Sequence, residues 1–450
     1  NMIDKLIKLK KLGKLGKEVS HVLSNQNYVK IVSHHDADGI AAASIMCNAL
    51  YRSKIHFQTR IISRFDENVV DELNKDNQKD LIIFCDMGSS YPHLISKVSG
   101  DIIVIDHHKP ISTDREFLHV NPHLVGIDGA YELSASGVAY IVATEMSNDN
   151  IDLGGLAIVG AIGDKQLTIG ANKLIIEESI KNKVIDVKKG LRIGDGDIQE
   201  LLEYTIEPYL DITGDREAIK NFLDQIKVHG KLRELESSQL HRLVNAITLK
   251  LLKKASPDAI EFVIGEVYIL NKEIIKNVFD YVWTLNACSK YGELGIALSL
   301  GMRDSSALEE AKHLSLNYQR KLVSLIKYAS QKVKQKKYIR YVNLIDSEST
   351  GVVAGTLNRY LYPDKPFITF NTIENEGITR VSARGTKKLI KKGLDLSIVL
   401  REAAQKVGGN GGGHNIASGA GVPIGKEEEF LDIVDKMVGE QIKPYPYIGD

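Results

Sequence analysis

Short apolar runs of strand length alternate with helical patterns in the first part of the chain, and this alternation constrains the fold most strongly. Helical patterns separate the first three of these runs. The runs lie at residues 29–34, 55–62, 81–84 and 102–105. Strands that alternate with helices, and that are mostly apolar on both faces, are typical of a parallel sheet covered by helices on both sides. We therefore predict an α/β fold that begins with a doubly wound parallel sheet.

The length of the chain predicts more than one domain. A chain of 450 residues should contain two or three domains at roughly 100–200 residues each. Glycines cluster near residue 190, a helical region without a recognisable motif follows, and an alternating pattern resumes near residue 339. We predict a parallel-sheet domain, a helical insertion, linker helices and a smaller C-terminal α/β domain, at residues 1–196, 197–280, 281–337 and 338–450.

Composition excludes several classes of protein. Apolar residues make up 43% of the chain and charged residues 26%, which is typical of a globular protein in water. The absence of an apolar run of about 18 residues argues against a membrane span. Three scattered cysteines suit a reducing compartment, so we expect a cytoplasmic protein. The formal net charge is zero, so any polyanion must be bound by local basic patches.

Acidic and imidazole side chains follow three of the apolar strands. Because the carboxyl ends of parallel strands meet at one edge of a sheet, these side chains should lie close together. A single Asp after a strand is usually a helix cap or a turn residue, but three such strand ends are difficult to explain by capping. The residues at the strand ends are His34, Asp36, Asp38, Asp86, Asp106, His107 and His108. Asp164 follows a stretch of small residues that would allow close packing.

The combination of carboxylates and imidazoles predicts a metal site. So many acids packed together would repel one another, and their pKa values would rise unless cations neutralised them. Carboxylate oxygens with a few imidazole nitrogens suit Mn²⁺, with Mg²⁺ as a harder substitute. Two ions that share a carboxylate are a common arrangement for phosphoryl chemistry. We therefore predict a site for two manganese ions that acts on a phosphate ester.

A glycine-rich segment near the C-terminus is a candidate phosphate site. Five glycines lie between residues 408 and 413, and they would allow backbone N–H groups to approach an anion. Arg380 and Arg384 could add bidentate contacts to phosphate. The alternative interpretation is an ordinary flexible loop.

The motifs together resemble those of a known family. The segments His34-x-Asp36-x-Asp38-Gly39, Asp86, Asp106-His107-His108 and Gly163-Asp164 resemble the four-motif signature of DHH phosphoesterases. The glycine-rich segment ending at His414, with Ser382-x-Arg384 upstream, resembles the companion DHHA1 domain. The order and spacing are most similar to archaeal RecJ-like single-strand exonucleases, including those that bind the GINS replication complex.

The resemblance implies a role for each matching residue. Asp86 would bridge the two ions, Asp106 would orient a histidine, and His108 would contact the phosphate or assist proton transfer. The role of His35, as a ligand or as a packing residue, is open. The implied metal ligands are His34, Asp36, Asp38, Asp86, His107 and Asp164. The implied substrate contacts are Ser136, Arg380, Ser382, Arg384, Gly412, Gly413 and His414, although the turn that contains Ser136 is explained equally well as a helix start.

The resemblance also implies an activity and partners. The expected enzyme is a metal-dependent exonuclease that hydrolyses single-stranded DNA in the 5′→3′ direction, and also RNA, in DNA replication or repair. The alternatives are a 3′→5′ RNA exonuclease, a nano-RNase or a phosphatase acting on phosphoadenosine phosphate. A further alternative is a replication scaffold that binds GINS without cleaving nucleic acid. A pyrophosphatase of the same family is disfavoured, because its C-terminal domain lacks the glycine-rich segment.

Overall fold

The computed structural model describes residues 2–75, 80–344 and 349–442. The chain divides into two compact units, one formed by residues 1–188 with 266–316 and the other by residues 189–265 with 317–450. Residues 443–450 of the predicted C-terminal domain lie outside the described residues. In the described ranges, no helix is both long and apolar enough to cross a membrane.

A parallel sheet of five strands forms the centre of the first unit. Its order is β2-β1-β3-β4-β5, and each neighbouring pair is parallel. The strands are β1 (Tyr28–His34), β2 (His56–Ile62), β3 (Leu81–Cys85), β4 (Ile102–Ile105) and β5 (Leu118–Val120). The structure confirms the predicted fold class, but sequence analysis missed β5, which has only three residues.

Helices cover both faces of this sheet, as the apolar strands require. They are α1 (Met2–Ser24), α2 (Ala37–Arg52), α3 (Glu67–Lys75), α4 (Pro92–Ile95), α5 (Ala135–Met146), α6 (Gly154–Gly163) and α7 (Gly170–Lys181). On one face, alternate residues such as Val32 and Phe84 form a buried cluster with Val69 of α3 and Leu94 of α4. On the other face, α1, α2 and α5 contact the strands.

The middle of the chain is divided differently from the predicted domains. Residues 197–265 belong to the second unit, whereas residues 266–316 belong to the first. The reason is packing, because α12 (Val278–Lys290) contacts α6 and α13 (Leu294–Gly301) contacts α2. The elements are β6 (Ile185–Leu191), α8 (Ile198–Tyr204), α9 (Arg216–Ile226), α10 (Ser237–Leu251), α11 (Pro257–Val263), β7 (Ile264–Leu270), α12 (Val278–Lys290), α13 (Leu294–Gly301) and α14 (Leu308–Gln331).

A mixed six-stranded sheet, in the order β12-β13-β11-β10-β9-β8, forms the centre of the second unit. Its strands are β8 (Lys334–Gln335), β9 (Arg340–Asn343), β10 (Phe367–Ile373), β11 (Ile378–Arg384), β12 (Asn410–Gly413) and β13 (Ala417–Pro423). Its helices are α15 (Thr350–Tyr360), α16 (Lys387–Lys391), α17 (Leu396–Lys406) and α18 (Glu427–Gln441). Residues of α17 and α18, including Val399 and Val434, bury one face of the sheet.

The glycine-rich segment is a strand in part, and not only a loop. Residues Asn410–Gly413 form β12, which pairs with β13 in antiparallel orientation. The backbone of α17 lies so close to this strand that a Cβ atom at Gly411 would be 2.5 Å from the Leu400 carbonyl oxygen. Glycine is therefore required at this position by close packing.

Candidate metal centre

The first unit brings together all six residues that were predicted to bind metal. Their ligand atoms form three overlapping groups, in each of which the atoms lie within 4.8 Å of one another. The groups are His34, Asp36 and Asp86; Asp38, His107 and Asp164; and Asp86, Asp106, His107 and His108. Asp86 and His107 each belong to two groups, so they connect the cluster.

Asp86 occupies the middle of the cluster. It follows β3 and has a φ of +58°, a backbone conformation that is uncommon for a residue other than glycine. Its carboxylate is buried, and within the described part of the chain neither oxygen accepts a hydrogen bond. Burial, together with the nearby Asp36 carboxylate, raises the pKa of Asp86 to about 6. A buried carboxylate without a donor is costly unless a cation compensates it.

His107 is held so that one ring nitrogen faces the acids. Its Nδ1 atom lies 2.7 Å from the carbonyl oxygen of Gly129, so Nδ1 carries the proton and donates it. Its Nε2 atom is 3.3 Å from Asp86 Oδ1 and 3.3 Å from Asp164 Oδ2. A histidine that donates from one nitrogen to a carbonyl presents the other nitrogen as a metal ligand.

Asp38 is fixed by the beginning of α5. Its two oxygens accept hydrogen bonds from the backbone N–H groups of Ala135 at 2.7 Å and Ser136 at 2.9 Å. The Ser136 hydroxyl is fully buried and donates to the Ala157 carbonyl oxygen. Because both polar groups of Ser136 are used inside the fold, we interpret Ser136 as a residue that positions Asp38 and not as a contact to substrate.

Close packing of α6 completes the arrangement around Asp38. A Cβ atom at Gly160 would lie 2.0 Å from Ser136 Oγ and 2.2 Å from Asp38 Oδ1. Glycine therefore allows α6 to approach the acids, and Asp164 follows directly after this helix.

His34 and Asp36 form the other side of the cluster. Asp36 caps α2 by accepting a hydrogen bond from the N–H of Gly39, and its second oxygen lies 2.8 Å from His34 Nδ1. His34 Nδ1 is also 3.5 Å from Asp86. Burial alone would lower the pKa of His34, but the carboxylates of Asp36 and Asp86 raise it to about 11.

Asp106 holds the two adjacent histidines. Its carboxylate is fully buried and accepts hydrogen bonds from the backbone N–H groups of Ser89, His107 and His108. It also accepts a bond of 2.8 Å from His108 Nδ1. Although burial opposes protonation of the His108 ring, Asp106 raises its pKa to about 9. The bond to Asp106 therefore holds the His108 ring in one orientation. The side chain is 51% exposed, so it remains accessible.

His35 is directed toward a different part of the first unit. Its Nδ1 atom lies 2.6 Å from the hydroxyl of Ser289 on α12, and none of the three groups of ligand atoms found in the described residues includes it. This contact favours the packing role over the ligand role.

The donor set fits a pair of divalent cations. His34, Asp36 and Asp86 would hold one ion, and Asp38, His107 and Asp164 would hold the other, with Asp86 between them. The donors are carboxylate oxygens and imidazole nitrogens, which suit Mn²⁺. Within the described residues, the two buried oxygens of Asp86 accept no hydrogen bond, and this observation fits a bound cation.

Two known domain families match parts of this chain. Residues 28–160 match the N-terminal domain of the DHH family, and residues 335–440 match the DHHA1 domain.

The chain belongs to the DHH family of phosphoesterases.

It is 32% identical to an uncharacterized protein of Methanocaldococcus jannaschii over 98% of this chain and 100% of that protein. It is 27% identical to the single-stranded-DNA-specific exonuclease RecJ of Bacillus subtilis, over 54% of this chain and 34% of RecJ.

Solved structures show the same fold. The structure of RecJ from Thermus thermophilus in complex with Mn²⁺ aligns with a TM-score of 0.62 at 16% identity, over 96% of this chain and 55% of that chain. CDC45 from Entamoeba histolytica aligns with a TM-score of 0.67 at 11% identity, over 95% of this chain and 99% of that chain. The DHH phosphoesterase is therefore RecJ-like in architecture. We call the first unit the DHH unit and the second the DHHA1 unit.

The predicted phosphate contacts, apart from Ser136, lie in the DHHA1 unit. Ser382 pairs with Gly419 in the sheet, and Gly419 also pairs with Gly412, so these residues form one row across three strands. Arg384 is partly buried, and its guanidinium donates to the Ala383 carbonyl oxygen. The remaining predicted contacts are exposed: Arg380 forms an ion pair of 3.0 Å with Glu376, and Gly412, Gly413 and His414 are open to solvent.

Sequence analysis missed residues that hold His108, Asp106 and the candidate metal ligand His107 in place. The Gly129 carbonyl oxygen accepts a hydrogen bond from His107 Nδ1, and the side-chain amide of Gln166 donates to the same oxygen at 2.7 Å. Ser89 and Asn121 support Asp106 and His108. Asn121 directly follows β5. Asn121 therefore also lies at the carboxyl edge of the parallel sheet, but the short strand before it was not recognised from the sequence.

Proposed function

We propose that this protein is a manganese-dependent exonuclease that hydrolyses phosphodiester bonds in single-stranded nucleic acid, acting 5′→3′ on DNA. The observation that carries the proposal is the position of Asp86. Its two buried oxygens lie between two groups of metal-ligand residues and accept no hydrogen bond within the described residues. A carboxylate in this position suits a bridge between two ions, an arrangement that is common in enzymes acting on phosphate esters.

The chain's own residues would divide the chemistry between them. When bound, the two ions would activate a water molecule and stabilise negative charge on the phosphate. His108 would contact the scissile phosphate or supply a proton to the leaving oxygen from Nε2, because Asp106 holds its Nδ1 atom at 2.8 Å. Asp106 would keep the ring in that tautomer and orientation.

Residues of the DHHA1 unit would bind the strand through its phosphates. Arg384 can offer several N–H donors, and Gly412 and Gly413 are exposed in β12. We propose that these groups, with Ser382 and His414, contact phosphate, and that Arg380 contributes more weakly because Glu376 neutralises it. Phosphate contacts make binding dependent on salt and largely independent of sequence. We further propose a role in DNA replication or repair, with GINS as a candidate partner, because the motifs resemble those of archaeal RecJ-like exonucleases.

The test is an assay with single-stranded DNA and RNA, each labelled at either end, with Mn²⁺, with Mg²⁺ and with EDTA. We expect progressive shortening of the DNA from its 5′ end with Mn²⁺ and no reaction in EDTA. Cleavage that survives EDTA would contradict the metal-dependent mechanism. Release from the 3′ end of RNA, or hydrolysis of only dinucleotides and phosphoadenosine phosphate, would replace the proposed substrate with those alternatives.

The same assay also tests the scaffold alternative. A scaffold would bind labelled strands or GINS without shortening the strands in any metal. We consider it less well supported, because all six candidate ligands are present and lie together in the DHH unit.

A further inference from the structure

Asn121 connects two loops of the DHH unit that carry functional residues. It follows β5 and is fully buried. Its side-chain nitrogen donates to Ser89 Oγ at 3.0 Å and to the His108 carbonyl oxygen at 2.8 Å. Its side-chain oxygen accepts a hydrogen bond of 2.9 Å from the N–H of His123. Because every hydrogen-bonding group of this side chain has a partner, the side chain is held in one orientation.

Asn121 reaches the His108 ring by two routes. The direct route is the hydrogen bond to the His108 carbonyl oxygen, which holds the backbone of that residue. The indirect route passes through Ser89, whose backbone N–H donates to Asp106 Oδ2 at 3.0 Å. Asp106 in turn accepts a hydrogen bond from His108 Nδ1. Ser89 is held further by His119, whose Nε2 atom lies 2.8 Å from Ser89 Oγ.

Helix capping explains only part of this arrangement. Asn121 is the N-cap of a short 3₁₀ turn at Pro122–Val125, and capping uses only the side-chain oxygen. The two hydrogen bonds that the Asn121 side-chain nitrogen donates are directed away from that turn, toward the loops that follow β3 and β4. An aspartate would cap the turn equally well but would lose both donors. The two roles can therefore be separated by one substitution.

We propose that Asn121 is a positioning residue for His108, which it holds through the His108 backbone and through Ser89 and Asp106. This inference rests on the proposed function, since it assumes that His108 acts on the phosphate. Asn121 makes none of the contacts described above for the six candidate metal ligands. Its loss should therefore disturb the His108 ring more than it disturbs the binding of metal.

The test compares Asn121→Asp with a matched control, Asn150→Asp. Asn150 is also fully buried and hydrogen-bonded, but its partners are the Ala143 carbonyl oxygen and Arg52, outside the metal centre. For Asn121→Asp we expect kcat to fall by about 10- to 100-fold, the usual effect of losing an outer partner of a catalytic group. KM and Mn²⁺ affinity should stay within about threefold of the parent, because neither substrate nor metal is contacted. Asn150→Asp should lose as much thermal stability as Asn121→Asp but should keep the kcat of the parent.

A second measurement does not depend on activity. In protein labelled with ¹⁵N-histidine and loaded with Mg²⁺, the signals of the His108 ring can be assigned by their absence in His108→Gln. We expect these signals to shift in Asn121→Asp and to stay unchanged in Asn150→Asp. Unchanged His108 signals in Asn121→Asp would overturn the proposal, and so would a kcat within about twofold of the parent. If the parent protein hydrolyses no substrate, the proposed function fails, and the spectra alone still decide whether Asn121 positions His108.

Discussion

The Nε2 atom of His107 lies 3.3 Å from Oδ1 of Asp86, at the point where the two groups of candidate ligands meet. His107 Nδ1 donates to the Gly129 carbonyl oxygen, which leaves Nε2 to face the acids. Burial opposes a charged ring, but the carboxylates of Asp86 and Asp164 raise the pKa of His107 well above its usual value. A proton or a metal cation between Nε2 and Oδ1 would satisfy both atoms. The buried acids around them favour the cation.

The first prediction concerns Asp86→Asn. We expect loss of detectable hydrolysis and of most Mn²⁺ affinity, because the amide removes the bridging charge. We also expect the unfolding temperature in EDTA to be no lower than that of the parent, since a buried carboxylate without a hydrogen bond is unfavourable. Calorimetric titration with Mn²⁺ and thermal unfolding measure these effects.

The matched control for this change is Asp71→Asn. Asp71 is exposed on α3 of the same unit, so the same chemical change there should leave metal affinity and hydrolysis at the level of the parent. Near-normal turnover by Asp86→Asn would refute the two-ion assignment.

The second prediction separates His107 from His108. His107→Gln should reduce Mn²⁺ affinity by more than the ~10–100-fold expected for an outer partner, because Nε2 is directed at Asp86 and Asp164. His108→Gln should leave metal affinity nearly unchanged and reduce kcat by about 10²–10⁴-fold, the range for a positioned acid or base. Metal titrations and single-turnover rates of both variants provide the measurement. Equal losses of metal affinity in the two variants would place His108 among the ligands.

The strand-end acids could be predicted from sequence because β1, β3 and β4 are mostly apolar strands of four to seven residues. β5 has only three residues, two of them partly exposed, so it gave no apolar run, and Asn121 after it was missed. The Gly129 carbonyl could not be predicted at all, because it holds His107 through backbone geometry. Likewise, β12 consists mostly of glycine, which disfavours strands locally; pairing with β13 and packing against α17 determine its structure.

The third prediction concerns the close packing of α6. Gly160→Ala would place a methyl group 2.2 Å from Asp38 Oδ1, so the helix or the carboxylate must move. We expect weaker Mn²⁺ binding and a loss of roughly 1–3 kcal/mol in unfolding free energy, as for other overpacked sites. Gly155→Ala in the same helix is the control. Its nearest neighbour would be 3.5 Å away, so stability should rise by up to ~1 kcal/mol through better helix propensity. Unchanged metal affinity in Gly160→Ala would show that Asp38 is not held by this contact.

The fourth prediction compares two arginines on the same face of β11. Arg384→Ala should weaken binding of single-stranded DNA more than it slows cleavage of bound strands, because a bidentate contact to phosphate is lost. Arg380→Ala should have a smaller effect, since Arg380 is already paired with Glu376 on the surface. Fluorescence anisotropy with a labelled strand, in the presence of Ca²⁺ at two salt concentrations, measures the binding. Unchanged affinity with slower chemistry in Arg384→Ala would assign Arg384 to the reaction itself.

The last prediction concerns stability away from the metal centre. Arg303 lies 2.5 Å from Asp152 and 2.8 Å from Glu273, whose side chain is fully buried. Arg303→Met would leave a buried carboxylate without its partner, so we expect a loss of about 3–5 kcal/mol in unfolding free energy. Adding Glu273→Gln should recover part of that loss, because the uncompensated charge disappears.

In the control, Lys312→Met breaks an exposed pair with Glu309 and should cost less than ~1 kcal/mol. Urea denaturation of these variants measures the losses in unfolding free energy. If Arg303→Met is no more destabilising than the control, solvent compensates the Glu273 charge, and the ion pairs of Arg303 do not stabilise the fold.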